Sequence, residues 1–215
     1  YWPIASGLPF YVALEKGYFK DVGLNVEGVK FASPNQIAEA MIAGRIQGSA
    51  NGTASAALAL AEISSPNLFK IVCSNPSNAK YVLDEVLVPL DNKVKTIKDL
   101  PKDTKFGCGP GIQNVTLAKI ILEKNGLSNI QPIELPVGQH VPALAAGQID
   151  AVYTLEPSGT IGKVKNVSRV LEAGVISKYM LGDAMAPWFG GSASLTTTLI
   201  KERPADVKKY LAAYA

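Results

Sequence analysis

Apolar and polar residues alternate along this chain with two periods, one typical of amphipathic helices and the other of buried strands. The helical period covers residues 9–16, and Gly17 follows where a helix would end. Residues 24–29 and 46–50 show the pattern of strands, and a helix is predicted over residues 54–62. The same patterns predict strands over residues 69–74, 81–88, 105–108, 130–135 and 151–155, and helices over residues 115–124 and 141–146.

This alternation of helix and strand predicts an α/β protein with mainly parallel sheets. An internal repeat suggests that the chain has two parts. Gly23 and Gly44 lie 21 residues apart, as do Gly126 and Gly147, and each interval has room for one strand and one helix. Coincidence is the alternative, since glycine commonly follows a helix. The repeat favours two lobes of related construction, separated within the turn-rich residues 75–96.

Composition narrows the class of protein. Apolar residues make up 47% of the 215 residues and charged residues 18%, which suits a folded core rather than a disordered chain. The formal net charge is only +3, and Lys and Arg are scattered rather than gathered into a basic stripe, so we expect no nucleic-acid partner. No apolar run reaches the roughly 18 residues of a membrane span. We expect a mature or trimmed chain, so a missing leader indicates nothing about compartment.

Residue types that carry metal or acid–base chemistry are sparse. His140 is the single histidine and has no evident partner, so a structural role is expected. Cys73 and Cys108 each lie in an apolar run and are interpreted as buried thiols, although a disulfide between them stays open. Serines are plentiful, but the sequence has no nucleophile elbow of the Gly-x-Ser-x-Gly type. We therefore expect no metal, no cofactor and no enzymatic activity.

Three short loops of small polar residues lead into predicted helices, where open α/β sheets bind ligands. Glycine lets backbone N–H groups approach a ligand, and helix N-termini favour negative charge. Ordinary turns use the same residues, but the equivalent positions of the loops in two lobes favour a binding role. The candidate ligand-binding residues are Ser6, Gly7 and Leu8 in the first loop, Asn51, Gly52 and Thr53 in the second, and Gly111, Ile112, Gln113 and Asn114 in the third.

Two further residues are candidates for the ligand site. Glu156 follows a predicted strand and is expected to face a cleft, but no second carboxylate or base accompanies it. Trp188 lies among small residues. It is expected either to form a wall of the cleft or to pack in the core or hinge, and the sequence favours neither.

Several segments resemble one known family. Residues 9–24 read PFYVALEKGYFKDVGL, residues 96–100 read TIKDL, residues 146–151 read AGQIDA and residues 201–204 read KERP. These segments resemble ABC-transporter substrate-binding proteins of the sulfonate, nitrate and taurine type, which share a superfamily with thiamine-precursor-binding proteins. The resemblance covers nearly the whole chain. It is specific for the superfamily and for no particular ligand.

The resemblance implies a two-lobed type II periplasmic-binding fold, in which each lobe is a mainly parallel sheet flanked by helices. Lobe I would comprise residues 1–90 and 190–215, because the C-terminal segment returns to complete it, and lobe II residues 91–189. The candidate loops, Glu156 and Trp188 would line a cleft that closes over a solute by hinge motion.

The implied function is capture of a small solute by the extracytoplasmic component of an ABC importer. Its partners would be that solute, either anionic (sulfonate, nitrate or carboxylate-like) or heterocyclic, and the membrane permease. The chain would be a monomer, periplasmic or anchored outside the cytoplasm. Arg45 and Arg169 lie outside the candidate loops, so the charge of the ligand stays open. The alternatives are a sensor domain or an enzyme of menaquinone or thiamine-precursor synthesis on the same scaffold, although the cysteine-rich iron-binding motif of the thiamine-pyrimidine enzymes is absent.

Overall fold

The computed structural model describes residues 1–52 and 55–215, except for the side chain of Ser55. The helices are α1 (Leu8–Lys16), α2 (Tyr18–Asp21), α3 (Pro34–Ile42), α4 (Ser55–Ser64), α5 (Ile112–Lys124), α6 (His140–Ala145), α7 (Ser158–Val164), α8 (Val175–Met180), α9 (Thr197–Glu202) and α10 (Pro204–Tyr214). The strands are β1 (Gly48–Ser49), β2 (Phe69–Cys73), β3 (Asp84–Pro89), β4 (Phe106–Cys108), β5 (Ile133–Glu134), β6 (Ala151–Leu155), β7 (Ser168–Ala173) and β8 (Ala193–Thr196). Short 3-10 helices lie at Ala5–Gly7, Ile97–Asp99 and Val137–Gln139.

The ends of the first helices follow from local sequence. Gly17 ends α1 in the left-handed conformation, with a φ of 79°, which glycine adopts without steric cost. Helix α3 begins after Ser33, whose hydroxyl accepts a hydrogen bond from the N–H of Gln36 at 3.3 Å. Pro34 occupies the first position of α3, where its missing N–H costs nothing. The helix predicted over residues 9–16 is therefore confirmed.

The chain forms two compact units. The first unit consists of Tyr1–Asn75 and Phe189–Ala215, and the second of Pro76–Trp188. The sequence placed residues 76–90 in the first lobe, whereas in the structure they belong to the second unit. The reason is strand pairing, because β3 pairs with β6 on one side and with β7 on the other.

The sheet of the first unit has the strand order β1-β8-β2, and both pairings are antiparallel. The sheet of the second unit has the order β5-β4-β6-β3-β7, with β4 parallel to both of its neighbours and β3 antiparallel to both of its own. The α/β class is confirmed, but the expectation of a mainly parallel sheet in each lobe is wrong for the first unit, whose pairings are antiparallel, while the sheet of the second unit is mixed. In the first unit, the returning C-terminal segment inserts β8 between β1 and β2 in the opposite direction.

Residues 24–29, predicted as a strand, lie in no helix or strand and belong to neither sheet. The side-chain pattern of a strand is present, since Leu24 and Val26 pack against the core of the first unit while Asn25 and Glu27 are exposed. A strand also needs a neighbour for its backbone, and among the described residues none pairs with this segment as a ladder.

The second unit has apolar layers on both faces of its sheet. Along β6, Tyr153 packs into a core cluster beneath α5, and Val152 packs into a second cluster beneath α6. Strand β3 alternates in the same way, with Val86 on the α5 side and Leu87 on the α6 side. Both strands are buried on both faces, which explains their nearly continuous apolar sequences.

Candidate functional site

The first candidate loop lies immediately before α1. Ser6 and Gly7 are buried, whereas Leu8 is exposed. The carbonyl oxygen of Ser6 accepts a hydrogen bond from Nδ2 of Asn75 at 2.8 Å. Its hydroxyl is buried and has no hydrogen-bond partner among the described residues. Buried polar groups are normally satisfied, so Ser6 is the residue of this loop best suited to bind a ligand.

Glycines allow the first loop to pack closely against its surroundings. A Cβ atom on Gly7 would lie 2.5 Å from the Tyr11 hydroxyl oxygen and 2.7 Å from Nδ2 of Asn51. A Cβ atom on Gly191 would lie 2.7 Å from Cβ of Ser6. The structure therefore brings the first and second candidate loops together within the first unit, and the C-terminal segment packs against them.

The second candidate loop forms hydrogen bonds with the backbone of Trp2, near the start of the chain. Asn51 is fully buried, and its Oδ1 accepts from the N–H of Trp2 at 3.0 Å while its Nδ2 donates to the carbonyl oxygen of Trp2 at 2.8 Å. Gly52 has a φ of +70°, and a Cβ atom there would lie 3.2 Å from the indole of Trp2. Thr53 lies outside the described residues. The Asn51 amide thus has a structural role, and its contact with a ligand stays a prediction.

The third candidate loop lies in the second unit and precedes α5. The N–H of Gly111 donates to Oε2 of Glu134 at 3.1 Å, and Nδ2 of Asn114 donates to the carbonyl oxygen of Pro110 at 2.7 Å. Ile112 is exposed and Gln113 is half-buried. One hydrogen bond within the loop and one to Glu134 of β5 therefore fix the conformation of the loop. Like any helix start, the first turn of α5 directs N–H groups away from the helix.

Glu156 and Trp188 have structural contacts of their own. The carboxylate of Glu156 accepts from the N–H and from the hydroxyl of Thr160, both at 3.1 Å, so it caps the first turn of α7. Trp188 is half-buried and packs against the core beneath α5, while its backbone exchanges two hydrogen bonds of 2.9 Å with Ser77. Of the two alternatives for Trp188, the structure shows core packing, and a ligand contact stays a prediction.

Two buried acids at the start of β3 were not among the predicted site residues. Oδ2 of Asp84 accepts from the N–H of Ile176 at 2.8 Å, and burial raises the pKa of this carboxyl group. In the described part of the chain, neither oxygen of Glu85 makes a well-formed hydrogen bond, and a Cβ atom on Gly159 would lie 2.2 Å from its Oε1. Burial raises the pKa of Glu85 to about 8, and the charge of Glu156 adds to this effect. Two adjacent acids opening an apolar strand are the sequence signal that could have revealed them.

His140 is fully buried in the second unit, and both of its ring nitrogens have partners. Nδ1 lies 2.7 Å from the hydroxyl oxygen of Thr154, and Nε2 lies 2.9 Å from the carbonyl oxygen of Leu135. A carbonyl oxygen can only accept, so Nε2 carries the proton and Nδ1 accepts from Thr154. This geometry matches the structural role expected from the sequence.

We expect the stability of the protein to depend on pH through His140. Burial lowers the pKa of His140 from its usual 6.5, so the folded protein keeps a neutral imidazole where the unfolded chain takes up a proton. The free energy of unfolding should therefore fall as the pH drops below about 6.5. Urea denaturation of the natural chain and of His140→Gln between pH 5 and 7.5 measures this contribution. If the two proteins lose stability equally on acidification, His140 is not its source.

Other features complete the chemical description of the chain. Both cysteines are free thiols, with Cys108 buried and Cys73 half-buried, so the structure contains no disulfide between them. In the part of the chain that the structure describes, no group of three or more His, Cys, Asp or Glu side chains could hold a metal ion. Within the same residues, no helix is both long and apolar enough to cross a membrane.

Solved structures with the same fold include bacterial solute-binding proteins. The alkanesulfonate-binding protein SsuA from Xanthomonas axonopodis pv. citri, bound to MOPS, is 21% identical, and the match covers 100% of this chain and 70% of that one with a TM-score of 0.74. The periplasmic nitrate-binding protein NrtA from Synechocystis PCC 6803 is 15% identical over 99% of this chain and 58% of its own, with a TM-score of 0.73. The zinc-bound ligand-binding component of an ABC-type import system from Staphylococcus aureus is 16% identical, and the match covers 100% of this chain and 70% of that one with a TM-score of 0.72.

These likenesses confirm the type II periplasmic-binding fold that the sequence resemblance implied. No curated protein matches the chain. The sequence profile of the NMT1-like family matches residues 1–161, about three quarters of the 215 residues. The match thus extends from the first unit through most of the second. The chain belongs to the NMT1-like family, and its fold is that of the periplasmic substrate-binding proteins.

Proposed function

We propose that this chain is the solute-binding component of an ABC importer. The observation that carries the proposal is the family match over residues 1–161 together with a fold shared, over the whole chain, with binding components of import systems. The chain would act outside the cytoplasm as a monomer and deliver its solute to a membrane permease. Catalysis is not required for this function.

The residues of the first unit favour a small polar solute that is bound mainly by neutral groups. The buried Ser6 hydroxyl offers an unused hydrogen bond, and Gly7 and Gly191 keep its surroundings compact. No Lys or Arg occurs in residues 1–14, 46–69, 71–79 or 179–200, which include every first-unit candidate loop. We therefore propose a nitrate-like or sulfonate-like anion, or a polar heterocycle, that is held without a cationic clamp.

Titration with defined probes tests this proposal. We expect one of three probes (nitrate, ethanesulfonate or cytosine) to raise the Tm and to bind saturably in isothermal titration calorimetry, with the probe recovered unchanged. Nitrate and ethanesulfonate correspond to the ligands named for the nitrate-binding and alkanesulfonate-binding structures. Recovery of a chemically altered probe would instead support an enzyme on this scaffold.

Ser6→Ala should weaken binding of the active probe while leaving the fold intact. The hydroxyl makes no hydrogen bond with the described residues, so its removal should cost little stability. A lost hydrogen bond to the ligand, worth about 0.5 to 1.5 kcal/mol, should raise Kd about two- to tenfold. Ser49→Ala is the matched control, because the Ser49 hydroxyl is also buried in the first unit but donates to the carbonyl oxygen of Asn51 at 2.7 Å. Ser49→Ala should lower the Tm of the protein and leave the Kd of the active probe unchanged. An unchanged Kd in Ser6→Ala contradicts the assignment of Ser6.

A further inference from the structure

Pro9 leaves the carbonyl oxygen of Ser6 without the donor that the neighbouring carbonyl groups have. In the 3-10 helix Ala5–Gly7, the N–H of Gly7 and then the N–H of Leu8 each donate to the carbonyl oxygen three residues earlier. The next donor in this series would be Pro9, which has no N–H. The Ser6 carbonyl group therefore needs a partner from elsewhere in the chain.

Asn75 supplies this partner from 69 residues away along the chain, since its Nδ2 donates to the carbonyl oxygen of Ser6 at 2.8 Å. Gly191 allows the close approach. A Cβ atom at Gly191 would lie 2.7 Å from Cβ of Ser6 and 3.2 Å from the carbonyl oxygen of Asn75. The position of Ser6 thus depends on a side chain outside its own helix.

The C-terminal helix α10 contacts the Asn75 amide from another side. Burial raises the pKa of Tyr214 to about 12, and the Asn75 side chain opposes this rise as a hydrogen-bond partner of the phenol oxygen. The Tyr214 hydroxyl donates its proton to the carbonyl oxygen of Ala50 at 2.8 Å. An amide nitrogen carries two protons, so that of Asn75 can serve both Ser6 and Tyr214. The amide therefore connects the first candidate loop to the residue before Asn51.

The contact with Asn75 uses the backbone of Ser6 and not its side chain. The Ser6 hydroxyl is buried and has no hydrogen-bond partner among the residues that the structure describes, whereas the carbonyl oxygen is bound. Asn75 is also the last residue of the first unit before the chain enters the second. The amide thus fixes Ser6 without occupying the group that is suited to bind a solute.

We propose that Asn75 is a positioning residue of the solute site, whose amide holds the Ser6 backbone where the Ser6 hydroxyl can bind the solute. The proposal rests on the proposed function, and it assigns Asn75 no contact with the solute itself. Loss of the amide should therefore weaken binding only through Ser6.

A double-mutant cycle measured by isothermal titration calorimetry tests this dependence, with the active probe among nitrate, ethanesulfonate and cytosine. Asn75→Ala should raise the Kd of that probe about two- to tenfold, because the Ser6 hydroxyl is no longer held in place. In the Ser6→Ala background, the same substitution should leave the Kd unchanged, because the group that Asn75 positions is already absent.

Asn125→Ala is the matched control. Asn125 is half-buried like Asn75, and its Nδ2 also donates to a backbone carbonyl oxygen at 2.8 Å, that of Ile121 in the second unit. The control should lower the Tm of the protein and leave the Kd of the active probe unchanged.

Hydrogen exchange of the protein without any probe gives a second readout. The amides of Gly7 and Leu8 belong to the turn that Asn75 holds. They should exchange about two- to tenfold faster in Asn75→Ala than in the natural chain. In Asn125→Ala they should exchange at the natural rate.

Three results overturn the proposal. An equal rise in Kd from Asn75→Ala with and without the Ser6 hydroxyl means that Asn75 affects binding by another route. An unchanged Kd, or unchanged exchange at Gly7 and Leu8, means that Asn75 does not position Ser6. If no probe binds the natural chain, the proposed function itself fails, and faster exchange in Asn75→Ala then assigns Asn75 a structural role alone.

Discussion

Asn51→Ala should destabilise the protein by about 2 to 4 kcal/mol, even in the absence of a ligand. Asn51 is fully buried, and its amide both accepts from and donates to the backbone of Trp2. Truncation leaves the N–H of Trp2 without its partner, and an unsatisfied buried group costs roughly 1 to 3 kcal/mol. The carbonyl oxygen of Trp2 loses one of three donors, about 1 kcal/mol more, and keeps the Tyr11 hydroxyl at 2.8 Å and the N–H of Ile4 at 2.9 Å. A total stability of about 5 to 15 kcal/mol is typical of folded domains, so the loss is a large fraction of it.

Urea denaturation followed by tryptophan fluorescence measures the effect. The matched control is Asn129→Ala, since Asn129 makes one exposed side-chain hydrogen bond, to the carbonyl oxygen of Lys102 at 2.7 Å, and should cost less than about 1 kcal/mol. Asn51→Asp should also destabilise, because it keeps the acceptor and loses the donor to Trp2. Equal stability of the natural chain and Asn51→Ala would contradict the structural role of this amide.

Glu85→Gln should remove a pH dependence of stability. Burial raises the pKa of Glu85 to about 8 from the ordinary value of 4.5. As the pH rises between these values, the unfolded chain loses the proton while the folded protein keeps it, so the free energy of unfolding falls by about 1.4 kcal/mol per pH unit. The variant stays neutral in both states. The free energy of unfolding of Glu85→Gln, relative to that of the natural chain, should therefore rise by about 4 kcal/mol from pH 5 to pH 8.

Urea denaturation at pH 5, 6, 7 and 8 checks this expectation. Glu39→Gln is the control, since it makes the same change of charge at an exposed position of α3. It should follow the pH dependence of the natural chain. Parallel curves for Glu85→Gln and the natural chain would show that Glu85 ionises normally in the folded protein.

The sequence predicted elements well where burial alone defines them. Strand β6 occupies the predicted residues 151–155, because a nearly continuous apolar run between Asp150 and Glu156, broken only by the buried Thr154, suits a strand that is buried on both faces. Residues 24–29 show the limit of this reasoning. Their alternation correctly predicts which side chains face the core, but a strand also needs a neighbour, and side-chain periodicity carries no information about one.

Prediction of the site from the sequence was limited because several of its residues contact residues that are far away along the chain. The sequence selected Asn51 and Gly52 because one is polar and the other flexible. In the structure, Asn51 forms hydrogen bonds with Trp2, 49 residues earlier, and Gly52 packs against the Trp2 side chain. Ser6 is suited to binding for a reason that the sequence does not reveal, since only the structure shows that its buried hydroxyl has no hydrogen-bond partner within residues 1–52 and 55–215. Glu85 was missed because its burial depends on the pairing of β3 between β6 and β7.

Native mass spectrometry of freshly purified protein tests the central claim most directly. If the chain is a solute-binding component, we expect one small molecule per chain, lost after unfolding and refolding in its absence and regained from the active probe in unchanged form. Bare protein before and after addition of nitrate, ethanesulfonate and cytosine, or release of a chemically altered probe, would contradict the claim.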